Sequence, residues 1–441
     1  AHVFIISPLM HRRWRANMKK IMTPIFKIIR ENVFTPWGLW LGFLAVILLS
    51  ALIAGIAIFW KGLVITNLTD LVPWGLWITI DLSSIAVSAG AFSLCAGVYL
   101  FGLKRYAPLA RTATFIGLIG YTMAMLALVL DIGRPDRFYK ALMFWNVHSL
   151  MWEVTMCVML YLTVLIFESM PIFASLEWLR NKYPLIAKKM ESAHHYAHFL
   201  AIIGLGLSSL HQSSLGAMYG VIKARPYLYK PEMAVLFMFS AIVGGIALTL
   251  FASMLSGRLT PKAKVNDILI ERVAQFLGYL MIGYLYFRFW DWMASRYMHE
   301  PGRTEAYHLL TTGPLSFNFW FGELLIGTLI PTIILLYRPA RLLPFWRMLA
   351  LAMIVGGIVA FRYDINIVGQ LAVISYLPGE SVVSYTTYTP SLVEWASGLG
   401  IIAYGVLFFS LGVKYLRVVD HRLTEGEHEV VAVEYTEAVH A

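Results

Sequence analysis

Several side chains able to carry charge or protons stand inside stretches that are otherwise apolar. Asp81, Glu153 and Glu323 are acidic; Arg288 with Asp291, and Arg362 with Asp364, are oppositely charged neighbours; His211-Gln212-Ser213-Ser214 is an uncharged polar run. An ionisable group at membrane depth is costly unless paired or hydrated, so each is a functional candidate. The plainer reading is that they are ion pairs and interhelical hydrogen bonds holding a bundle together. It fits Arg362–Asp364 and Arg288–Asp291 as well as function does. It fits Asp81 less well, because no other charge shares its apolar run. Asp131 and Arg134 follow the third run, and His194, His195, His198, Glu271 and Arg272 lie at the starts of others.

The elements that hold these residues must be membrane helices. Of 441 residues, 59% are hydrophobic and 14% charged, against about a quarter charged in soluble domains. A helix of about 20 apolar residues crosses the hydrocarbon core. On that criterion the chain is all-α, with ten spans near 37–60, 74–101, 112–130, 147–169, 193–220, 233–256, 269–294, 315–337, 348–375 and 395–413. Trp37, Trp60, Trp74, Trp77, Trp395 and Tyr415 lie near proposed ends, where interfacial anchors belong.

Charge sets the orientation. The N-terminal segment, the tail and the loops after even-numbered spans hold 23 Lys and Arg; the loops after odd-numbered spans hold 9. The positive-inside rule then puts both termini in the cytoplasm and explains the net charge of +10 without nucleic acid. The first apolar run is long enough to span, which reads as no cleavable signal peptide. In this orientation Asp81, Asp131, Arg134, Glu153, His211, Arg288, Asp291 and Glu323 share the outer half. The basic segment 1–36 and the acidic tail 419–441 flank a membrane domain over 37–418. Gly244-Gly245 in span six resembles Ala89-Gly90 in span two, and Glu323 in span eight resembles Glu153 in span four. Spans 2–5 and 6–9 are therefore expected to be two four-helix bundles, with two extra helices.

Cofactor signatures are few. Cys95 and Cys157 are too few for an iron–sulfur or zinc site, so no cluster or metal is expected in this chain. His198 and His211 lie 13 residues apart, roughly 20 Å along a helix, a spacing that suits two stacked haems. The facing histidines are missing apart from His148, so no haem is expected. No phosphate-binding loop, dinucleotide fingerprint or zinc-protease pattern is present.

Three ordered strings carry a resemblance. Pro73-Trp74-Gly75-Leu76-Trp77-Ile78 leading to Ser88-Ala89-Gly90-Ala91-Phe92, then Asp131-Ile132-Gly133-Arg134-Pro135-Asp136-Arg137-Phe138, then Ser209-Leu210-His211-Gln212-Ser213-Ser214-Leu215-Gly216 resemble the NrfD/PsrC family of polysulfide-reductase membrane subunits, in its ten-helix, HybB-like branch. The resemblance implies a subunit that binds quinone, menaquinone above all, in the outer half of the first bundle. It implies an iron–sulfur, ferredoxin-like partner on the outer face and a further catalytic or multihaem cytochrome subunit, in a bacterial cytoplasmic membrane. Trp74, Trp77, Asp81 and Ser88 would line the pocket, with Asp131 and Arg134 at its mouth. Ser88 stands where members of the alternative complex III group carry a histidine; His211 is the candidate donor in its place.

The reaction expected from that resemblance is quinone/quinol interconversion. Asp81 is expected to exchange protons directly, with Glu153 or Asp131 as relay, and His198, Glu271, Arg362 and Asp364 to line a path from the cytoplasm. Two rivals share the charge pattern. A secondary transporter would show uptake without a redox partner, and a membrane anchor would bind no quinone.

Overall fold

A computed structural model describes residues 35–378 and 380–421. Most of the basic segment 1–36 and of the tail 419–441 lies outside the described residues.

The apolar runs become long helices. Among the described residues, nine are long and apolar enough to cross a membrane: Pro36–Lys61, Leu76–Val98, Lys104–Asp131, Leu150–Phe173, Met233–Leu259, Asp267–Tyr297, Asn318–Leu336, Pro344–Leu371 and Leu392–Tyr415. The helix Ala197–Gly220 has 24 residues and packs among them, but His198 and the 211–214 polar run make it less apolar. It occupies the place of span five, and the ten are numbered here in chain order. The protein is thus an all-α polytopic membrane protein.

Local chemistry sets the helix ends. Thr35 caps span one by accepting from the Gly38 amide at 3.0 Å, and Pro36 opens the first turn. Span one stops at Gly62, whose φ of 78° a side chain would resist. Span ten begins with a capping box between Ser391 and Glu394.

Small residues decide the crossings. Span two is almost wholly enclosed, whereas span one faces mostly outward. Span two meets span six where Gly90 and Gly245 touch backbone to backbone. Spans eight and nine cross at Gly327 and Gly357, where a Cβ on Gly327 would lie 2.3 Å from the Gly357 Cα. With no hydrophobic driving force between helices in lipid, such close approach supplies dispersion contact. Spans two to five pack in sequence, spans six to nine likewise, and spans two and six join the two sets. Spans one and ten pair with each other and rest on span three.

Two local features depart from the apolar pattern. Residues Asn318–Leu329 of span eight form a π-helix, whose backbone pattern shows in the Ile330 amide donating to the Leu325 carbonyl five residues back. Such widened turns are frequent at functional sites. Span nine, expected to reach residue 375, ends at Leu371, and Ala372–Leu377 pairs antiparallel with Glu380–Tyr385. Val373 and Ile374 are apolar enough to extend a helix by composition, but β-branched residues followed by Pro378 favour a hairpin.

Candidate functional site: buried polar clusters of the membrane domain

Spans two, three and five place the first cluster. Asp81 is 3% exposed, and its Oδ1 has no hydrogen-bond partner. Asp131, ending span three, also has an unpartnered buried Oδ1 and lies within electrostatic reach of Asp81. From span five, His211 Nδ1 is hydrogen-bonded to the Tyr121 hydroxyl at 2.9 Å, leaving Nε2 unpartnered. Gln212 donates from Nε2 to the Ile85 carbonyl at 3.1 Å, and its Oε1 is unpartnered. Ser214 donates to Glu153 Oε1 at 2.6 Å, tying span five to span four.

Aromatic rings wall this cluster. Tyr121 stands edge-on to Tyr161, with centroids 4.7 Å apart, and Trp74 leans on Tyr219 at 5.2 Å. Tyr219 donates to Asn366 Oδ1 at 2.9 Å, while Asn366 Nδ2 donates to the Trp74 and Gly75 carbonyls at 3.0 and 3.1 Å. Span nine therefore latches the N-terminal turn of span two. Arg225, in the loop before span six, reinforces it by donating to the carbonyls of Gln370 at 2.9 Å and Leu71 at 2.6 Å.

Other expected residues lie apart from this cluster. Trp77 is 1% exposed, and its indole donates to Ser397 of span ten at 2.9 Å, so it faces spans one and ten and is no interfacial anchor. Ser88 donates to the Ser84 carbonyl of its own helix, beside Gly120. Arg134 grips Asp136 in the loop after span three at 2.9 and 2.8 Å, both largely exposed. The Arg134 hydrogen bonds hold the Asp136 carboxyl below the usual range.

The second cluster spans the other four helices. Arg288 bonds Asp291 at 2.7 Å and also Glu323, while Lys230 pairs with Asp291. Asp364 accepts from Asn318 at 2.7 Å and faces Glu323. Arg362 does not pair with Asp364: it donates to the Phe237 carbonyl at 2.8 Å and Ser240 Oγ at 2.9 Å, with its guanidinium 3.7 Å over the Phe237 ring. Glu271 pairs with Arg341 at 2.6 Å at the N-terminal end of span seven, and His198 is exposed at the start of span five. Among the described residues, no direct hydrogen bond or ion pair joins these four to one another.

Several participants escaped sequence reading. Tyr121, Tyr161 and Tyr219 count among the hydrophobic residues by composition, and Asn366 carries no charge. Glu168, beside Tyr161, and Lys230, in a loop, gave no motif. Among the described residues, no group of three or more His, Cys, Asp and Glu could hold a metal ion. His148 is exposed in the loop before span four.

The family model for "Polysulphide reductase, NrfD" matches residues 64–374, which takes in all of these clusters. The chain belongs to the NrfD family. Its relatives include the protein named menaquinone reductase, integral membrane subunit, of Nitratidesulfovibrio vulgaris, at 32% identity over 86% of this chain and 91% of the relative. The Hdr-like menaquinol oxidoreductase integral membrane subunit of Archaeoglobus fulgidus is 27% identical over 82% and 89%. A probable Ni/Fe-hydrogenase 2 b-type cytochrome subunit of Escherichia coli is 24% identical over 82% and 88%. This NrfD-family chain is thus similar to membrane subunits of oxidoreductases along most of its length.

Proposed function

We propose that this chain is the quinone-reactive membrane subunit of a respiratory oxidoreductase complex, and that menaquinone meets it at the outer ends of spans two, three and five. One observation supports this most: Asp81 Oδ1, Asp131 Oδ1, His211 Nε2 and Gln212 Oε1 are buried without partners on converging helices. Buried polar groups are almost always satisfied. A cluster of exceptions beside Trp74, Tyr121 and Tyr219 suits a ring that is apolar in body and polar at its two oxygens. The relative named menaquinone reductase supports the choice of quinone.

The chemistry follows from these groups. A quinone takes two electrons and two protons to become a quinol, and the reverse oxidation releases them. Asp81 is the proton-exchanging group; Asp131 or Glu153 relays. His211, oriented by Tyr121, offers a hydrogen bond to a quinone oxygen. Electrons pass through an iron–sulfur subunit on the outer face, beside a catalytic or multihaem cytochrome subunit, in the bacterial cytoplasmic membrane. Arg134 and the exposed loop around it belong to the docking side.

Titration of the purified subunit with a short-chain menaquinone, read by tryptophan fluorescence, tests the reading. Saturable quenching is expected, weakened about tenfold by His211→Ala, the loss of one or two hydrogen bonds. Quenching that neither saturates nor responds to His211→Ala would leave the chain a membrane anchor.

A further inference from the structure

A cavity of about 270 Å³ opens on the other side of the molecule, between the outer ends of spans seven and eight beneath the helix Arg303–Thr311. Its walls include Trp292, Tyr307, Phe319 and Trp320, and its polar edge is Arg288 with Asp291. Phe289 and Trp320, about half exposed, stand at its rim in the apolar belt. A ligand would therefore enter sideways from the lipid.

Charge decides what kind of ligand fits. Arg288 and Lys230 are matched by Asp291 and Glu323, with Asp364 behind. Among the residues that line the cavity no cation is left uncompensated to receive a phosphate; Arg296, outside the lining, lies over the Trp292 ring at 5.9 Å. Arg288 spends one terminal nitrogen on Asp291 and the other on Glu323; its Nε–H, buried, has no partner. One free N–H donor at the edge of an aromatic cavity suits a neutral carbonyl oxygen on a flat ring. The volume lies near the lower end of small-molecule sites, roughly 300–1,000 Å³.

We propose that this cavity is a second binding site for a neutral, membrane-dissolved quinone, held by Arg288 Nε and the surrounding rings, in the bundle opposite the one assigned above. The identity of the occupant rests on the quinone reading; the cavity shares no residue with the Asp81 cluster. The proposal concerns binding and includes no redox step.

The intact complex in nanodiscs, equilibrated with menaquinone-4, washed, and extracted for quinone and phospholipid phosphorus, provides the test. Leu285 and Leu324 also line the cavity; filling it by Leu285→Phe with Leu324→Phe is expected to halve the menaquinone-4 retained per chain and to leave quinone-linked turnover unchanged. An unaltered menaquinone-4 content would overturn the proposal. So would loss of phospholipid phosphorus at constant quinone, which would mark a lipid site. Because the filled variant can fail to assemble, the parent complex is also photolabelled with an azido-naphthoquinone. Adducts within residues 285–295 or 319–324 are expected, and adducts confined to spans two, three and five would contradict the site. If Asp81→Asn keeps full turnover while those adducts persist, the first-bundle reading fails and this one stands.

Discussion

A Cβ atom on Gly245 would stand 1.9 Å from the backbone nitrogen of Gly90. Spans two and six therefore cross in backbone-to-backbone contact, and the crossing joins the halves that carry the two polar clusters. The obstacle is backbone, which cannot rotate away. Gly245→Leu is expected to cost more than the 1–3 kcal/mol typical of overpacking. It should sharply reduce assembled protein and the unfolding temperature in detergent. Gly97→Ala is the control, since a Cβ there meets nothing within 4 Å. Equal stability of Gly245→Leu and the parent would show that the crossing is looser than described.

The sequence resemblance between Ala89-Gly90 and Gly244-Gly245 was visible without coordinates, but it pointed to a repeat and not to a contact. Apolar runs revealed the membrane helices because charge is so sparse within them. Asp81 was legible for the same reason, as one carboxyl in an uncharged run. Tyr121 was not, because a tyrosine hydroxyl adds little to an otherwise apolar window. Trp77 misled for a related reason: an indole near a helix end reads as an interfacial anchor, yet here Ser397 of a helix 320 residues away satisfies it. Arg362 and Asp364 were adjacent enough to pair in sequence, but two residues apart on a helix they face different neighbours.

The Tyr121–His211 hydrogen bond fixes which imidazole nitrogen is left for a ligand. Tyr121→Phe removes the orienting contact and keeps the ring packing against Tyr161. We expect the KM for quinone to rise several-fold, with a smaller change in kcat, because the imidazole is freed to turn and is not removed. His211→Ala should be worse in both. Tyr121→Phe kinetics identical to those of the parent would mean that His211 is held by packing alone.

Lys230, Arg288, Asp291 and Glu323 form one buried network of alternating charge. Removing one partner of a buried pair costs about 3–5 kcal/mol, because it strands the other charge. Lys230→Met should lower the unfolding temperature markedly, and Lys230→Met with Asp291→Asn should recover part of the loss. No recovery in the double variant would show that the lysine acts through packing, not charge.

His421 lies just beyond span ten, where its amide donates to the Lys264 carbonyl at 2.7 Å and docks segment 417–421 on the loop after span six. Burial pushes its imidazole down to about 4 from an ordinary 6.5. The undocked segment then binds more protons than the docked one between those values, so docking weakens as pH falls through that window. The protection of amides 417–421 against hydrogen exchange, corrected for the intrinsic rate at each pH, should fall from pH 7 to pH 4.5, and His421→Leu should flatten the dependence. A flat profile in the parent would show that the imidazole reaches water.

The central claim is that buried Asp81 exchanges protons with quinone. It is tested most directly by quinone-linked turnover of the intact complex with Asp81→Asn, measured beside electron transfer from the same donor to a soluble artificial acceptor. A misplaced or missing general acid or base typically costs 10²–10⁴-fold. We predict a loss of at least about a hundredfold in the quinone assay, with the artificial-acceptor rate unchanged. Full quinone turnover in Asp81→Asn would contradict the account and move the site elsewhere in the chain.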